Sequence, residues 1–211
     1  SERVREWLDR ITPPAEQVEA AGPEEVRAAE VRVLQTLNDL VTYALNPWVY
    51  DQQPFLGWDS RELTSLVDFA GKTVIDVGAG TGRLALVAAE QGAAAVFAVD
   101  PVGRLRAYLK EKARAAGYRD VYPVDGLITD LPFPDAFAGV TMSGHVYGDD
   151  PEEELAEMLR VTHPGGMVIL CPGNNDVDDA VHDYLVSQGM KWSRFEEPDD
   201  GWKRKYWRVV D

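Results

Sequence analysis

The segment Val74-Ile-Asp-Val-Gly-Ala-Gly-Thr-Gly-Arg83 sets the interpretation of the whole chain. It begins as a short apolar run typical of a buried strand and continues directly into three glycines spaced two residues apart. Glycine has no Cβ, so Gly78, Gly80 and Gly82 let the backbone turn sharply and approach a bound molecule closely. The residues after Gly82 are typical of a helix. A strand, a glycine turn and a helix in this order place ligand atoms beside a helix N-terminus.

Two aspartates accompany this glycine turn. Asp100 ends the next predicted strand, 22 residues after Gly78, where a carboxylate can accept hydrogen bonds from both hydroxyls of a ribose. Asp100 could also cap the helix that follows, and the two roles are compatible. Asp76 lies within the first strand, where a buried carboxylate needs a partner such as an ammonium group on the ligand. A ligand with a ribose and an ammonium group, but no pyrophosphate, fits S-adenosylmethionine.

The spacing of the glycines separates two classes of nucleotide-binding protein. Residues 78–82 have the pattern Gly-x-Gly-x-Gly, whereas the dinucleotide fingerprint is Gly-x-Gly-x-x-Gly. This difference, together with Asp76, disfavours a nicotinamide-dependent oxidoreductase, which stays open as an alternative.

From residue 71 onward, apolar segments typical of buried strands alternate with segments typical of helices. Such alternation predicts a parallel sheet covered on both faces. The short connection Pro198-Asp-Asp-Gly201 allows only an antiparallel pairing of the last two strands. The predicted fold class is therefore α/β, a doubly wound, mostly parallel seven-stranded sheet with an antiparallel C-terminal strand at its end. The predicted strands cover residues 73–77, 94–99, 121–124, 140–142, 167–171, 191–196 and 203–210.

Residues 1–70 are predicted to form a helical N-terminal extension, and residues 71–211 the core domain. Apolar side chains at helical spacing mark two helices, and Asp59 is expected to begin a third that ends at Gly71. Between them, residues 46–58 contain two prolines, a glycine and four aromatic rings, so we expect an irregular, packed segment. This aromatic segment has two compatible interpretations. It could be a hydrophobic cover over the sheet, a lid on a ligand pocket, or both at once. The apolar helical positions are Val4, Trp7, Leu8 and Ile11, then Leu34, Leu37, Val41 and Leu45.

Composition and charge exclude several classes of function. The chain of 211 residues has a formal net charge of −15, which disfavours nucleic acid as a partner because backbone phosphates would be repelled. Cys171 is the only cysteine, so an internal disulfide and a cysteine-based zinc site are excluded, and a reducing, cytoplasmic location is expected. No apolar run is long enough to span a membrane, and the first residues do not form a secretory signal. The three histidines are scattered, so we expect no metal site.

Four motifs in order resemble the class I S-adenosylmethionine-dependent methyltransferases of the small-molecule type. Residues 74–82 are similar to that family's first motif and Val96-Phe-Ala-Val-Asp-Pro101 to its second. Residues 124–137 are similar to its third region, and His163-Pro-Gly-Gly166 resembles the basic-Pro-Gly-Gly turn before the fifth strand. Ala138 departs from the family pattern, as does His163, which replaces the commoner lysine or arginine. The resemblance covers residues 71 to 172.

The resemblance implies S-adenosyl-L-methionine as the cofactor and a set of residues that bind it. Asp125 is expected to meet the adenine amine, and Tyr50 to lie in a segment folded over the methionine end of the cofactor. The expected cofactor-binding residues are Asp76, Gly78, Ala79, Gly80, Gly82, Asp100, Pro101, Asp125, Gly126, Ser143 and Tyr50.

The resemblance also implies methyl transfer to a small-molecule acceptor by in-line displacement. His145 and Tyr147, just past the predicted fourth strand, are the candidate catalytic residues. An ordinary histidine is largely neutral at pH 7 and can accept a proton, although His145 could instead be a hydrogen-bonded residue at a strand end. Tyr147 could line the acceptor pocket or only pack. Trp48, Phe55 and Trp58 would shape an apolar acceptor site.

Two other functions stay open alongside catalysis on a small molecule. The absence of an unambiguous base leaves a non-catalytic protein that binds S-adenosylmethionine or S-adenosylhomocysteine. A nucleic-acid methyltransferase is disfavoured by the net charge. The acceptor and the oligomeric state are not predicted, because substrate specificity lies in irregular loops on a shared scaffold.

Overall fold

The computed structural model describes residues 22–211, with the side chains of residues 34–44 left aside. The helix expected at Val4–Ile11 lies outside the described residues, as do the side chains of Leu34, Leu37 and Val41. The chain divides into two compact units between residues 43 and 44. The second unit, Ala44–Asp211, contains the whole sheet. The predicted division between an extension at 1–70 and a core at 71–211 stays a prediction.

Helices and strands alternate along most of the second unit. Among the described residues no helix combines the length and the apolar character needed to cross a membrane. The elements in chain order are α1 (Pro23–Leu45), α2 (Pro47–Asp51), a 3-10 helix (Pro54–Gly57), α3 (Arg61–Thr64), β1 (Thr73–Val77), α4 (Arg83–Glu90), β2 (Ala95–Val99), α5 (Gly103–Ala115), β3 (Val121–Val124), β4 (Ala138–Ser143), α6 (Pro151–Val161), β5 (Thr162–Leu170), α7 (Ala180–Ser187), β6 (Lys191–Glu197) and β7 (Gly201–Val209).

The seven strands form one sheet in the order β3-β2-β1-β4-β5-β7-β6. The pairs from β3 to β5 are parallel, and β7 is antiparallel to both β5 and β6. The predicted α/β class, the seven strands and the antiparallel C-terminal strand are therefore confirmed. The position expected for that strand is wrong, because β7 lies second from the edge. The more exposed β6 forms the edge, and charged, exposed residues are what edge strands commonly carry.

Both faces of the sheet are covered by apolar side chains. Val74 and Ile75 are neighbours in β1, so their side chains point to opposite faces, and both are fully buried. Val74 packs in a cluster with Leu84 of α4 and Leu109 of α5. Ile75 packs in a second cluster on the other face. This two-sided burial is the reason the strands are continuous apolar runs.

The parallel strands bring three chain segments to one edge of the sheet. Val77 pairs with Val99 on one side and with Ser143 on the other. The residues that follow β1, β2 and β4 are therefore neighbours in space. The strand order reverses between β1 and β4, and ligands of open α/β sheets bind at such a switch point.

The aromatic segment, residues 46–58, is more regular than its prolines suggested. Pro47 begins α2 and Pro54 begins the 3-10 helix, and in each case proline occupies the first turn, where its missing N–H costs nothing. The side chain of Asn46 accepts a weak hydrogen bond from the N–H of Val49, at 3.4 Å, and caps α2.

The helix expected from Asp59 to Gly71 is reduced to the four residues of α3. The carboxylate of Asp59 accepts a hydrogen bond from the N–H of Arg61 at 2.9 Å and pairs with the guanidinium of the same residue. The side chain of Asp59 thus binds Arg61, and Ser60 rather than Asp59 is the N-cap of α3.

Candidate functional site

The glycine turn after β1 has the geometry that only glycine tolerates. Gly78, Gly80 and Gly82 have φ of +69°, +52° and +90°. A Cβ built on Gly78 would lie 2.1 Å from Cγ2 of Val146, and one on Gly80 would lie 3.4 Å from Cε1 of Tyr50. The loop after β4 and the aromatic segment therefore both lie directly against the turn.

Asp100 fixes the turn from the end of β2. Its side chain is buried, with Oδ2 accepting a hydrogen bond from the N–H of Gly80 at 2.9 Å. Oδ1 accepts one from the N–H of Val102 at 2.8 Å, next to the start of α5. Val102 rather than Asp100 is the N-cap of α5, and the ribose role considered for Asp100 stays a prediction.

Asp76 faces a helix rather than open space. Its Oδ2 accepts a hydrogen bond from the N–H of Ala85 in α4 at 2.8 Å, and the carboxyl group is buried. Burial away from water raises the pKa of Asp76 to about 8, and the charge of Asp100 adds to this shift. Asp76 thereby ties β1 to α4 and holds the glycine turn between them.

Replacing Asp76 by asparagine is expected to remove one source of pH dependence. The folded protein keeps a proton on Asp76 up to about pH 8, whereas the unfolded chain loses it near the ordinary aspartate pKa. The unfolded state therefore binds fewer protons between about pH 4 and 8, and the stabilisation present below this window is lost as the pH rises through it. Urea denaturation at pH 5 and pH 8 should show a smaller loss of stability for Asp76→Asn than for the wild type. An equal loss in both proteins would contradict the assigned environment.

The other residues predicted for the cofactor lie around the same edge. Asp125, after β3, is largely exposed and pairs with Nη1 of Arg106 at 2.9 Å. The same Arg106 nitrogen donates to the carbonyl of Asp100 at 2.6 Å, so one guanidinium links the ends of β2 and β3. A Cβ on Gly126 would lie 2.9 Å from Val99, which shows close packing at this end of β3. Two more predicted residues, Ala79 and Pro101, lie within the turns after β1 and β2.

The aromatic segment is anchored to α5 and to the first residue of α4, which follows the glycine turn. Asp51 accepts hydrogen bonds from the hydroxyl of Tyr108 at 2.9 Å and from Nζ of Lys112 at 2.6 Å, both in α5. Arg83, the first residue of α4, donates to the carbonyl of Leu56 at 2.7 Å and to that of Trp58 at 2.5 Å. These contacts hold the segment over the turn.

Tyr50 and Phe55 form the inner side of the aromatic segment. Their ring centroids are 5.7 Å apart, and Phe55 meets the ring of His145 edge-on at 5.2 Å. Burial raises the pKa of Tyr50 to about 12, with the charges of Asp100 and Glu197 adding to the effect. The hydroxyl of Tyr50 therefore stays protonated at neutral pH and lies in a region where carboxylates dominate.

The loop after β4 contains His145 in a left-handed backbone conformation, with φ of +64°. Its N–H donates to the carbonyl of Pro172 at 3.1 Å, and Nε2 of its ring lies 2.9 Å from Oε1 of Glu197. Farther along, the buried carboxylate of Glu154 in α6 accepts hydrogen bonds from the N–H groups of Gly148 and Asp150. These bonds fix both ends of the loop that places Val146 on Gly78.

The two alternatives for Tyr147 are separated by its contacts. Its hydroxyl donates to the carbonyl of Pro151 at 2.8 Å, and its ring packs against a core cluster that includes Leu155. Burial raises the pKa of its phenol well above the ordinary value. These contacts favour the packing interpretation, and the catalytic role of Tyr147 stays a prediction.

The tryptophans of the aromatic segment do not shape a pocket as expected. Trp58 is buried in the core, against Phe195 and beneath the guanidinium of Arg83 at 4.4 Å. Trp48 is largely exposed. Of the rings in the segment, Tyr50 lies against Gly80 of the turn, and Phe55 packs against Tyr50 and His145.

Two contributors to this site were missed by sequence reasoning. Glu197 ends β6, 52 residues after His145, and reaches it only through the pairing of β6 with β7. No spacing in the sequence signals this contact. In the sequence, Arg83 is simply the last residue of the glycine motif. A basic residue in the first turn of a helix is unfavourable, however, and therefore indicates a specific partner.

The residues at this edge fit S-adenosylmethionine. Among residues 22–211, the buried hydroxyls of Ser143 and Thr81 have no hydrogen-bond partner, and a buried polar group of this kind fits a polar ligand. Ser143 ends β4 beside β1, and Thr81 lies within the glycine turn. Within the same described range, no group of three potential metal-ligating side chains is close enough to hold an ion.

The family model that matches this chain and the two relatives described here are methyltransferases. A family model described as a methyltransferase domain matches residues 74–166. An uncharacterized methyltransferase of Geobacillus kaustophilus is 29% identical over 173 residues, which cover 77% of this chain and 75% of that protein. A demethylmenaquinone methyltransferase of Clavibacter sepedonicus is 35% identical over 116 residues, which cover 54% of this chain and 46% of that protein. The match thus spans about half the length of the latter relative.

Solved structures share the fold. The crystal structure of an S-adenosylmethionine-dependent methyltransferase from Aquifex aeolicus superposes with a TM-score of 0.55 at 17% identity. The superposition covers 82% of this chain and 93% of that one. At this identity the likeness concerns the arrangement of the sheet and its helices.

Proposed function

Because this chain belongs to the class I S-adenosylmethionine-dependent methyltransferases, we propose that it transfers a methyl group from S-adenosylmethionine to a small-molecule acceptor by in-line displacement. The observation that carries this proposal is the buried carboxylate of Asp100, 2.9 Å from the N–H of Gly80. A carboxylate beside the glycine turn supports the proposal because it can accept hydrogen bonds from ribose hydroxyls.

Each part of the site has a distinct role in binding the cofactor. Asp100 accepts hydrogen bonds from the ribose, and Asp125 accepts one from the adenine amine. The methionine portion binds at the glycine turn, and the hydroxyl of Ser143 supplies a hydrogen bond there. Tyr50 lies over the turn and excludes water from it.

Methyl transfer mainly requires the protein to align the acceptor with the methyl group and the sulfur. The bound cofactor supplies a methyl group on a positively charged sulfur, which leaves as a neutral thioether. The chain has to hold the acceptor in line with the carbon–sulfur bond, and the anchored aromatic segment and the loop after β4 provide two fixed walls for this purpose.

The proposal also covers the location of the protein, the class of acceptor and the role of the N-terminal extension. The single Cys171 supports a cytoplasmic location, and the net charge of −15 argues against nucleic acid as the acceptor. Residues 1–70 would act as an extension that contributes the aromatic segment to the site.

Isothermal titration with S-adenosylmethionine, followed by a transfer assay with the tritiated methyl donor, tests the proposal. We expect saturable binding with one site per chain and label transfer to at least one member of a small-molecule panel. No binding at millimolar ligand would reject the proposal. Binding without transfer to any acceptor would favour the alternative of a non-catalytic binding protein.

A further inference from the structure

Resting on the proposed function, we propose that Lys112 is a positioning residue, which holds Tyr50 over the glycine turn through Asp51 and thereby slows the release of the bound cofactor. Tyr50 and Asp51 are the last two residues of the short helix α2, and Lys112 lies in the last turn of α5. Lys112 and Asp51 are 61 residues apart in the sequence, and their contact is the observation from which the inference starts.

The junction between the two helices is a carboxylate held by two donors. Oδ1 of Asp51 accepts a hydrogen bond from Nζ of Lys112 at 2.6 Å, and Oδ2 accepts one from the hydroxyl of Tyr108 at 2.9 Å. Tyr108 and Lys112 are four residues apart in α5, so their side chains lie on the same face of that helix. The side chain of Asp51 is only 12% exposed. Because the carboxylate is mostly removed from water, these charge-assisted hydrogen bonds are stronger than those at an open surface.

The junction is also connected directly to the glycine turn. Nζ of Lys112 donates a second hydrogen bond to the carbonyl of Thr81 at 3.3 Å, and Thr81 lies between Gly80 and Gly82. A Cβ built on Gly82 would lie 2.1 Å from Cδ1 of Leu109, so α5 packs directly on the end of the turn. The ammonium group of Lys112 therefore connects α2, α5 and the glycine turn at one point.

Tyr50 is the side chain whose position depends on this junction. The helix α2 has only five residues, and a helix of this length holds its position through contacts with the rest of the molecule. Cε1 of Tyr50 lies 3.4 Å from the point that a Cβ on Gly80 would occupy. The hydrogen bonds of Asp51, the next residue in the chain, connect this part of the aromatic segment to α5.

A cover that is fixed in place affects how long a ligand stays bound. In the proposed function the cofactor binds at the glycine turn, and Tyr50 lies over that turn. A side chain that is already ordered loses little conformational entropy when the ligand binds. A cover that has to move before the ligand leaves also limits the rate of dissociation. Loss of the junction at Lys112 is therefore expected to increase the dissociation rate of the cofactor.

The junction can be broken without detaching the whole aromatic segment. The later half of the segment is held separately by Arg83, which donates hydrogen bonds to the carbonyls of Leu56 and Trp58. Lys112→Met removes the charge and the donor but keeps most of the side-chain stem, which is partly exposed. Lys112→Arg keeps the charge and is expected to restore the contact. Lys110→Met is the matched control, because Lys110 is exposed on the same helix and has no ion pair within residues 22–211.

Amide hydrogen exchange of the free protein tests the junction without the cofactor. In the aromatic segment, the N–H of Tyr50 is bonded to the carbonyl of Asn46, and that of Gln53 to the carbonyl of Tyr50. We expect these amides to exchange about tenfold faster in Lys112→Met, because the loss of a charge-assisted hydrogen bond favours local opening. Lys112→Arg and Lys110→Met should exchange like the wild type. Unchanged exchange in Lys112→Met would overturn the inference.

Surface plasmon resonance on the immobilised protein tests the effect on the cofactor. We expect S-adenosylmethionine to dissociate about tenfold faster from Lys112→Met, and at the wild-type rate from Lys112→Arg and Lys110→Met. Tyr50→Ala removes the side chain that the junction holds, so adding Lys112→Met to it should change the dissociation rate little. Equal acceleration with and without Tyr50 would show that Lys112 does not act through Tyr50, and the inference would be overturned.

A second variant keeps the inference testable if Lys112→Met does not fold. Asp51→Asn removes the charge of the other partner, keeps an acceptor for the hydroxyl of Tyr108, and should accelerate exchange and dissociation in the same way. The same measurements separate the inference from the proposed function. A wild type that does not bind S-adenosylmethionine refutes the proposed function. A wild type that binds it and releases it at the same rate as Lys112→Met refutes only the positioning role.

Discussion

Alanine at position 78 is expected to abolish binding of S-adenosylmethionine and to lower the free energy of unfolding by about 3 kcal/mol. About 1 kcal/mol comes from forcing a residue with a Cβ into the left-handed conformation at φ of +69°. The remainder, about 2 kcal/mol, comes from the collision of that Cβ with Val146, whose Cγ2 would be 2.1 Å away. The displacement that this collision forces on the turn also disturbs the backbone that the ligand would contact.

A matched substitution separates these two contributions. Gly117→Ala imposes a similar strain, at φ of +87°, at a position where a Cβ would have no neighbour within 4 Å. We expect Gly117→Ala to cost about 1 kcal/mol and to leave binding unchanged. In the double variant Gly78→Ala with Val146→Ala, part of the stability should return because the collision is relieved. Equal stability losses for Gly78→Ala and Gly117→Ala in urea denaturation would show that Val146 does not lie against the turn.

Asp100→Ala is expected to weaken binding of S-adenosylmethionine by about 2 kcal/mol, or about 30-fold in Kd, because charge-assisted hydrogen bonds to the ribose are lost. The substitution also removes the acceptor for the N–H of Gly80, so the turn itself loosens. Isothermal titration at constant pH measures the change.

Two further variants show whether the loss in Asp100→Ala is specific. Asp100→Asn keeps an acceptor oxygen of the same shape and should weaken binding less than alanine does. Asp120→Ala removes an exposed carboxylate at the opposite end of β3 and should bind as the wild type does. A dissociation constant that stays constant across all three variants would exclude Asp100 from the ribose site.

Features that depend on neighbours in the sequence were predictable. Within ten residues of sequence, the glycine turn combines residue type, spacing and a position between a strand and a helix. These features predicted the edge of the sheet at which the structure places the turn. Asp100 was predicted as a residue of the site because, in a parallel sheet, the end of the next strand lies beside the turn. The helix that begins at Pro151 after Asp150, with its three glutamates in the first turn, was equally local.

Features that depend on the tertiary arrangement were not predictable. The contact of Glu197 with His145 exists only because β7 inserts between β5 and β6 and turns the end of β6 back toward the site. The same sequence patterns allowed Trp58 to line a pocket or fill the core, and Arg83 together with Phe195 placed it in the core. Two prolines that indicated an irregular segment instead begin short helices, because the first turn of a helix needs no N–H from them.

A crystal structure of the protein with S-adenosylhomocysteine tests the central claim most directly. We expect the two ribose hydroxyls within hydrogen-bonding distance of the carboxylate of Asp100, and the amino-acid portion against the backbone of Gly78 and Gly80. Density for the ligand at any other place on the sheet, with Asp100 bonded only to the protein, would contradict the account.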